Sequence, residues 1–600
     1  MSTETEILSD LIKKVINRLQ GLSLQSVKLE HPKNLEFGDY SVNLARFSQA
    51  RELAQKIKES LDKQKLEFIG NVSIIGVFVN ISIKDSWLIN QAQQVLKEGG
   101  DFGRQETNHK KIMVEFSHPN THKLFHIGHL RNITTGESIV RILEANGYKV
   151  IRANYQGDVG LHIAKCLWAI FDCHSRESGN LYRFLVKPGM TLDEKIAFLG
   201  KCYSAGHKAY EEEEAAKKEI IAINKKIYDK SDEKINELWQ ETRSWSLEYF
   251  NRIYNRVDSH FDRFYFESEV FESGKKLVLD NLGKVFEKSQ GAIIFPGKKF
   301  GLHDRVFINS EGNATYEGKD VGLCQLQFKE YDPDKIIHVV APEQASYFQV
   351  LFKALEQVFP ETKNREQHLK YGWVRLKEGK MSSREGNVIL GEWLIDKSRE
   401  KVDQIMIKVQ KTAVDNKDLK EVSETVAVAA VKYSFLRQGV DKDIAFDFDE
   451  SVSLQGNSGP YLQYTYARCK SVLAKAFVGH SDQAKRVEES KTKDPSTTLG
   501  MTPNTEELVV LRTLYKFPEV VGLAGQNLNP SLICTYLYDL ACIYNTFYNK
   551  HSILNIKLQA PMAKANVQSI SNFRLLLTAA TAQVLQNGLD LLGIKTVEKM

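Results

Sequence analysis

The clearest candidate for chemistry is the run PNTHKLFHIGH at 119–129, which holds Lys123, His126 and His129. It follows the apolar segment IMVEF at 112–116, which predicts a buried strand, and it precedes a segment with helical periodicity. His126 and His129 are three residues apart, so both imidazoles lie on one face of the first helical turn. A helix N-terminus has free N–H groups and a partial positive charge. The motif therefore predicts hydrogen-bond donors to phosphate oxygens.

Two other interpretations of the histidine pair stay open. The pair could be a surface feature, or it could bind a metal, although no third ligand is evident and the sequence points to no metal-binding residue. Gly128, between the two histidines, leaves room for a flat base to approach the backbone. It is therefore a candidate nucleotide contact.

A second motif, GKMSSREGN at 379–387, follows a predicted strand near 368–376. Glycines at both ends and two serines predict a mobile loop whose Lys380 and Arg384 can neutralise a triphosphate. Standing alone, the segment could also be an exposed basic turn. Its candidate nucleotide contacts are Lys380, Met381, Ser382 and Ser383.

The elements around the first motif alternate between strand and helix. Strands at 112–116 and 148–155 with helices between and after them predict a parallel sheet with crossover helices. Further strands are expected within 300–308, 334–341 and 368–376. We expect this catalytic α/β, Rossmann-like domain to cover 106–395, interrupted by a charged, mostly helical insertion at about 174–290.

The flanking regions differ from this centre. Residues 1–105 predict a small α/β domain, with a helix near residues 7–19 and strands at 72–83. From 396 to 600 the pattern predicts an all-α helical bundle, interrupted by a polar linker at 479–504. The fold class is thus multidomain.

Composition excludes several classes of protein. The chain has 600 residues, 81 Lys+Arg against 76 Asp+Glu, and 26% charged residues, which excludes wholesale disorder. Seven cysteines without a C-x-x-C pair indicate a reducing compartment and no cysteine zinc site. No apolar run is long enough to span a membrane, and no leader segment is evident, so a cytoplasmic protein is expected.

Taken together, HIGH and KMSS resemble the paired signatures of class I aminoacyl-tRNA synthetases. Over nearly its full length the chain resembles arginyl-tRNA synthetases. The resemblance rests on seven segments: VEFSHPNTHKLFHIGHLRN, NYQGDVG at 154–160, TYEGKD at 315–320, Gln344 with YFQV at 347–350, the 430–468 stretch with GNSGPYLQY, FGDYSVNLA at 37–45 and LLGIKTVEKM at 591–600.

The resemblance implies that Glu115 and Asn120 hold L-arginine, while Tyr316, Asp320 and Gln344 recognise its side chain. A guanidinium is a planar fork of donors that suits fixed carboxylates, which agrees with Glu115 and Asp320. Without the resemblance, Glu115 would be assigned to a surface ion pair and Tyr316 to core packing.

The family also implies a tRNA-binding bundle, here with Tyr461, Tyr464, Arg468 and, more weakly, Met600. Aromatic faces beside a cation commonly hold single-stranded bases. Core packing of both tyrosines is the alternative. The 1–105 domain is expected to contact the tRNA elbow.

The implied activity is two-step charging of tRNA(Arg) with arginine, using ATP with Mg²⁺, by a monomer. Adenylate formation is expected to require bound tRNA. Lys123, His126, His129, Lys380 and Arg384 would stabilise charge. Two rivals remain: a synthetase for lysine, glutamate or cysteine, and a non-catalytic tRNA-binding relative.

The chain departs from the family pattern at a few positions. Glu385 replaces a basic residue, and His118, His122 and His162 stand where other residues are usual. His118 and His122 are expected to be bystanders or to alter the pH response. Segments 173–184 and 479–504 are additions without an assigned function.

Overall fold

A computed structural model describes 7–8, 11–12, 29–47, 49–175, 189–377, 389–409, 416–478, 502–554 and 564–600. Four predicted segments lie wholly or mostly outside these ranges: most of the helix predicted at 7–19, most of segment 173–184, all but three residues of the 479–504 linker, and residues 378–388, which include the GKMSSREGN motif. Among the described helices, none is long and apolar enough to cross a membrane.

The N-terminal unit is a four-stranded antiparallel sheet with two helices. Its strands, in the spatial order β1-β2-β4-β3, are β1 (Leu29–Glu30), β2 (Tyr40–Asn43), β3 (Ile69–Ile75) and β4 (Phe78–Ile83). Helix α1 (Ala50–Gln64) and helix α2 (Asp85–Glu98) complete it. Both helices are amphipathic, with Leu53, Ile57 and Leu61 buried on one face of α1. The predicted strand segment 72–83 is confirmed as a hairpin.

A five-stranded parallel sheet follows, in the order β12-β11-β5-β6-β7. Its strands are β5 (Lys111–Glu115), β6 (Lys149–Gln156), β7 (Arg263–Phe266), β11 (Lys335–Val340) and β12 (Glu366–Lys370). The chain runs from β5 to β6 and β7 on one side, then returns to β11 and β12 on the other. The strand order thus reverses at β5, and the crevice outside its carboxyl end is the expected ligand site.

Helices cover this sheet and separate its strands. They are α3 (Ile127–Ala145), α4 (Leu161–Ser175), α5 (Leu192–Glu212), α6 (Glu214–Asp229), α7 (Glu233–Arg256), α8 (Glu267–Asp280), α9 (Tyr316–Tyr331) and α10 (Ala345–Val358). A small antiparallel sheet, in the order β10-β9-β8, lies beside them: β8 (Glu287–Ser289), β9 (Ala292–Phe295) and β10 (Arg305–Ile308).

The remaining chain is mostly helical. Two short strands, β13 (Val374–Leu376) and β14 (Ile444–Phe446), pair in parallel. The helices are α11 (Gly391–Val409), α12 (Asn416–Leu436), α13 (Phe448–Ser451), α14 (Gly459–Val478), α15 (Thr505–Leu514), α16 (Phe517–Asn527), α17 (Ser531–Lys550) and α18 (Lys564–Leu591).

Two strands depart from the sequence expectations. The region expected to be a mostly helical insertion contains β7, which pairs in parallel with β6 and therefore belongs to the main sheet. The region expected to be purely helical contains β14. Both are too short to show a clear two-residue alternation, and each is held by pairing with a distant strand.

The N-terminal unit packs on the helical bundle through one continuous core. Phe102 stacks on Phe517 with ring centroids 6.1 Å apart, and both belong to a buried cluster that spans the two regions. Arg512 forms an ion pair with the buried Asp39 at 3.1 Å. The two regions that the resemblance assigns to tRNA binding are therefore joined to each other.

Candidate active site

The turn between β5 and α3 forms the floor of the crevice. Ser117, His118 and His122 all have positive φ, at 78°, 48° and 62°. Such conformations cost of order 1–3 kcal/mol each and persist where the surrounding structure imposes them. His122 is fixed to α7, because its Nε2 lies 2.7 Å from Thr242 Oγ1. Burial lowers the pKa of His122 to about 3, so this histidine is neutral.

At the start of α3 the two motif histidines cap the helix. His126 Nδ1 accepts from the backbone N–H of Gly128 at 3.1 Å, and His129 Nδ1 accepts from the backbone N–H of His126 at 3.2 Å. The rings stack with centroids 3.7 Å apart. Since both Nδ1 atoms accept, the ring protons reside on Nε2. Two neutral imidazoles therefore present Nε2–H donors.

The pKa values agree with that tautomer. Burial, with Lys123 nearby, lowers the pKa of His126, and burial beside His126 lowers the pKa of His129 well below its usual range. Burial also lowers the pKa of Lys123. A Cβ on Gly128 would lie 2.9 Å from the His126 ring, so a side chain at this position would collide with the imidazole. The contact of Gly128 with a nucleotide base stays a prediction. Gly128 is required here for the imidazole cap.

The acidic residues expected to hold arginine lie at the carboxyl end of β5 and on α9. Glu115 is buried; its Oε2 accepts from Gln327 at 2.6 Å, and its Oε1 lies 3.1 Å from His338 Nδ1. Burial would raise the pKa of Glu115, but His338 outweighs it and lowers that pKa. Asp320 accepts from the Tyr347 hydroxyl at 2.5 Å, and burial raises its pKa to about 8.

Several buried polar atoms near these carboxylates have no hydrogen-bond partner within the described part of the chain. They include Tyr155 Oη and His118 Nε2. Tyr155 feels the charges of Asp320 and Glu115, and His118 feels that of Glu115 and influences His129. Buried polar groups are normally satisfied. This end of the crevice thus has hydrogen-bonding capacity for a polar ligand.

The other predicted arginine contacts lie around this pocket. A Cβ on Gly157 would lie 2.2 Å from Asn120 Oδ1, so that glycine makes room for the amide. Tyr316 begins α9 and is 64% exposed, which excludes the core-packing alternative. Gln344 ends a short 3₁₀ helix, Pro342–Gln344, and is exposed.

In the helical bundle the predicted tRNA contacts are neighbours. Arg468 lies over the rings of Tyr464 and Tyr548, 4.9 Å from each centroid, and donates to Asn545 at 2.5 Å. Tyr461 Oη accepts from Asn545 at 3.0 Å.

Met600 and Tyr464 line one small apolar cavity of about 50 Å³. The structure therefore brings all four predicted residues of the bundle together: Tyr461, Tyr464, Arg468 and Met600.

Comparison with known proteins agrees with this arrangement. A family model described as "tRNA synthetases class I (R), catalytic domain" matches 91–448. The "Arginyl tRNA synthetase N terminal domain" matches 6–83, and the "DALR anticodon binding domain" matches 462–600.

Two curated relatives carry the name arginine–tRNA ligase. The one from Borrelia hermsii is 30% identical and covers 99% of each chain. The one from Treponema denticola is 32% identical over 96% of this chain and 95% of its own.

The chain belongs to the arginyl-tRNA synthetase family. Its fold is also that of the Thermus thermophilus arginyl-tRNA synthetase, with a TM-score of 0.77 at 22% identity and full coverage of both chains. The class I catalytic fold of the family uses ATP as a substrate. The domain borders at 105 and 395 stay predictions.

Lys380, Met381, Ser382, Ser383 and Arg384, with the departure Glu385, lie outside the described residues. The chain that follows them is placed: Ile389 accepts from the backbone N–H of Ile127 at 2.8 Å, and Gly391 donates to Phe125 at 2.9 Å.

Sequence reasoning missed several groups at the site, namely Tyr155, Gln327, His338, Tyr347 and Glu366. One signal was available for His338, because it is a single polar residue inside the apolar strand IIHVV. Tyr347 lies in the family-like segment YFQV, whereas Gln327 and Glu366 gave no local signal. They join the site only through strand pairing and helix packing.

Proposed function

We propose that this protein activates L-arginine with ATP and transfers it to the terminal ribose of tRNA(Arg). One observation carries the proposal: the acidic pocket of Glu115 and Asp320 opens at the same strand end as the imidazole cap of α3. One end matches a guanidinium and the other a phosphate. Arginine and ATP bound there would meet at the reacting atoms.

In the first step the guanidinium donates to Glu115 and Asp320, and Asn120, Tyr316 and Gln344 complete the amino-acid site. The arginine carboxylate oxygen then attacks the α-phosphorus, and the bond from that phosphorus to pyrophosphate breaks. In the second step the tRNA ribose hydroxyl attacks the acyl carbon and AMP leaves. No covalent enzyme intermediate is required, so positioning supplies most of the rate enhancement.

The Nε2–H groups of His126 and His129 donate to the α-phosphate oxygens as charge develops. These imidazoles are neutral, so they stabilise that charge through hydrogen bonds rather than through a positive charge of their own. Lys123, Lys380 and Arg384 neutralise the departing pyrophosphate. Ile389, which follows the KMSS motif in the sequence, accepts a hydrogen bond from the backbone N–H of Ile127 in this turn.

ATP would bring Mg²⁺ as its counter-ion. Within the described ranges, no three His, Cys, Asp or Glu side chains are placed to hold a metal ion. The described residues therefore form no protein-held metal site.

Tyr461, Tyr464, Arg468 and Met600 would receive the anticodon end of the tRNA. Tyr461 and Tyr464 are half-buried, so the core-packing alternative holds in part. Aromatic faces beside a guanidinium suit unstacked bases. We further infer a cytoplasmic monomer. No disulfide bond joins the six cysteines whose side chains the structure describes, which fits a reducing compartment. Sedimentation equilibrium would test the monomer.

The deciding experiment charges unfractionated bacterial tRNA with labelled arginine, lysine and glutamate in parallel, with ATP and Mg²⁺. We expect acid-insoluble label from arginine alone. Acid-insoluble label from lysine or glutamate would overturn the assignment of arginine as the substrate. No pyrophosphate exchange with any amino acid, with tRNA present, would favour the non-catalytic alternative.

A further inference from the structure

A buried histidine joins two carboxylates behind the arginine pocket. His338 on β11 lies opposite Glu115 in the parallel pairing with β5. Its Nδ1 is 3.1 Å from Glu115 Oε1, and its Nε2 is 2.7 Å from Glu366 Oε2 on β12. The side chains of His338, Glu115 and Glu366 are 8%, 4% and 5% exposed. We call these three residues the carboxylate clamp.

The clamp requires a charged imidazole. Burial alone would lower the pKa of His338, but Glu115 and Glu366 raise it to about 10. Both ring nitrogens then donate, one to each carboxylate. On a neutral ring, one of the two nitrogens would be an acceptor facing a carboxylate oxygen, and that contact costs far more than a satisfied pair.

The clamp fixes the plane of Glu115. Its two oxygens accept from different elements, Oε1 from His338 on β11 and Oε2 from Gln327 on α9. Each oxygen keeps a lone pair, so a planar donor can still approach. Recognition of a guanidinium by two parallel hydrogen bonds depends on that plane, whereas a point-like ammonium does not.

We propose that His338 is a positioning residue for arginine: held by Glu366, it fixes the Glu115 carboxylate in the orientation that a guanidinium requires. The inference rests on the proposed function and goes beyond it, since His338 acts through Glu115 and does not itself contact the substrate. Loss of the clamp should therefore weaken arginine binding and leave the phosphate chemistry intact.

Other titratable groups face the clamp from every element packed against it. Asp320 on α9 and His118 in the turn after β5 sense the charge of His338. His368 on β12 does as well, and Cys324 Sγ on α9 lies 3.6 Å from Glu366. A pH profile of arginine use therefore reflects Asp320 on its acid side and His338 on its alkaline side.

Two amide substitutions distinguish the roles of the two ring nitrogens of His338. In His338→Asn the short amide can replace Nδ1 and donate to Glu115. In His338→Gln the longer amide can replace Nε2 and donate only to Glu366. We expect His338→Gln to raise KM for arginine about 10- to 100-fold, the effect of losing a hydrogen bond to a charged group, with kcat changed less than about threefold.

His338→Asn should restore most of that loss, to within about threefold of the original KM. KM for ATP and for tRNA should not change in either variant. Equal KM for arginine in the two variants, or a fall in kcat at unchanged KM, would overturn the proposal.

His368→Gln is the matched control. It makes the same substitution on the neighbouring strand, where His368 Nε2 binds the Val340 carbonyl at 3.0 Å. We expect no change in KM for arginine. A rise as large as that of His338→Gln would mean that general loosening of the sheet is the cause, and would overturn the inference.

Glu366→Gln keeps the proposal testable if both His338 variants misfold. It removes one of the charges that stabilise the His338 cation, so the alkaline limb of kcat/KM for arginine should move about one pH unit lower. If the alkaline limb of the pH profile stayed at the same pH in Glu366→Gln, the proposal would be overturned. Failure of the unmodified protein to charge arginine would instead contradict the proposed function.

Discussion

The two ends of the crevice are built in different ways. At the phosphate end, His126, Gly128 and His129 are bonded to one another within one helical turn. At the arginine end, Glu115 is held by Gln327 and His338, which lie 212 and 223 residues away in the sequence. The local site consists of neutral donors, and the long-range site consists of charges. The enzyme thus needs its whole sheet assembled before it can recognise arginine, but not to form the α3 cap.

The largest expected effect would test the local end. His129→Ala removes one Nε2–H donor, and losing one such donor typically costs about 10²–10³ in rate. We expect kcat for charging to fall by that factor, with KM for arginine nearly unchanged. Quench-flow measurement of adenylate formation with tRNA present would show it.

Because His129 also accepts from the His126 backbone, thermal unfolding must be measured beside activity. Loss of a helix cap costs about 1 kcal/mol, which alone would not abolish folding. His260→Ala, at an exposed histidine, is the control. If His129→Ala kept most of its adenylation rate, His129 would have no role in the chemistry. The proposed phosphate end of the crevice would then be contradicted.

The same division explains what the sequence could predict. Strands β5 and β6 were predicted within about two residues, and a helix was predicted between them, because their patterns are local and strongly periodic. Glu115 and Asp320 were found through a family resemblance. Their partners Gln327, His338 and Tyr347 were missed, since no short pattern places residues that meet only across paired strands and packed helices.

The second effect extends the comparison to the helical bundle. Tyr464 and Arg468 form a local pair one turn apart on α14, but Asn545 and Tyr548 reach them from α17. Tyr464→Ala should raise KM for tRNA roughly 5- to 100-fold, because base stacking on an aromatic ring contributes about 1–3 kcal/mol. Charging at saturating tRNA should keep its rate.

Tyr464→Phe is the matched control, since it keeps the ring and loses only the hydroxyl that accepts from Arg468. KM for tRNA should stay near that of the unmodified protein. If the phenylalanine variant were as weak as the alanine variant, hydrogen bonding rather than stacking would explain the contact.

The third effect concerns the charge of Asp320 at the arginine end of the crevice. Asp320 has its pKa raised by burial to about 8, so below that pH its carboxyl is mostly neutral. A bound guanidinium stabilises the ionised form of the Asp320 carboxyl. Arginine binding below pH 8 therefore releases a proton from Asp320, and the affinity for arginine increases as the pH rises. Between pH 7 and 9, kcat/KM for arginine should rise about tenfold and then level off.

Calorimetry in two buffers of different ionisation enthalpy would count that proton directly. Asp320→Asn should abolish the release and flatten the acid side of the profile. We expect no proton release from the phosphate end of the crevice, because His126 and His129 are already neutral at pH 7. Proton uptake on binding would contradict the assignment of Asp320 to the guanidinium.

The smallest effect concerns Gln344, at the edge of the pocket. Its side chain is exposed, so substitution should not disturb the fold. A single hydrogen bond to substrate contributes about 0.5–1.5 kcal/mol, so Gln344→Ala should raise KM for arginine about 2- to 10-fold without changing KM for ATP. Steady-state charging at saturating tRNA would measure both. A larger loss than in His338→Gln would mean that the exposed rim, rather than the buried carboxylate clamp, selects arginine.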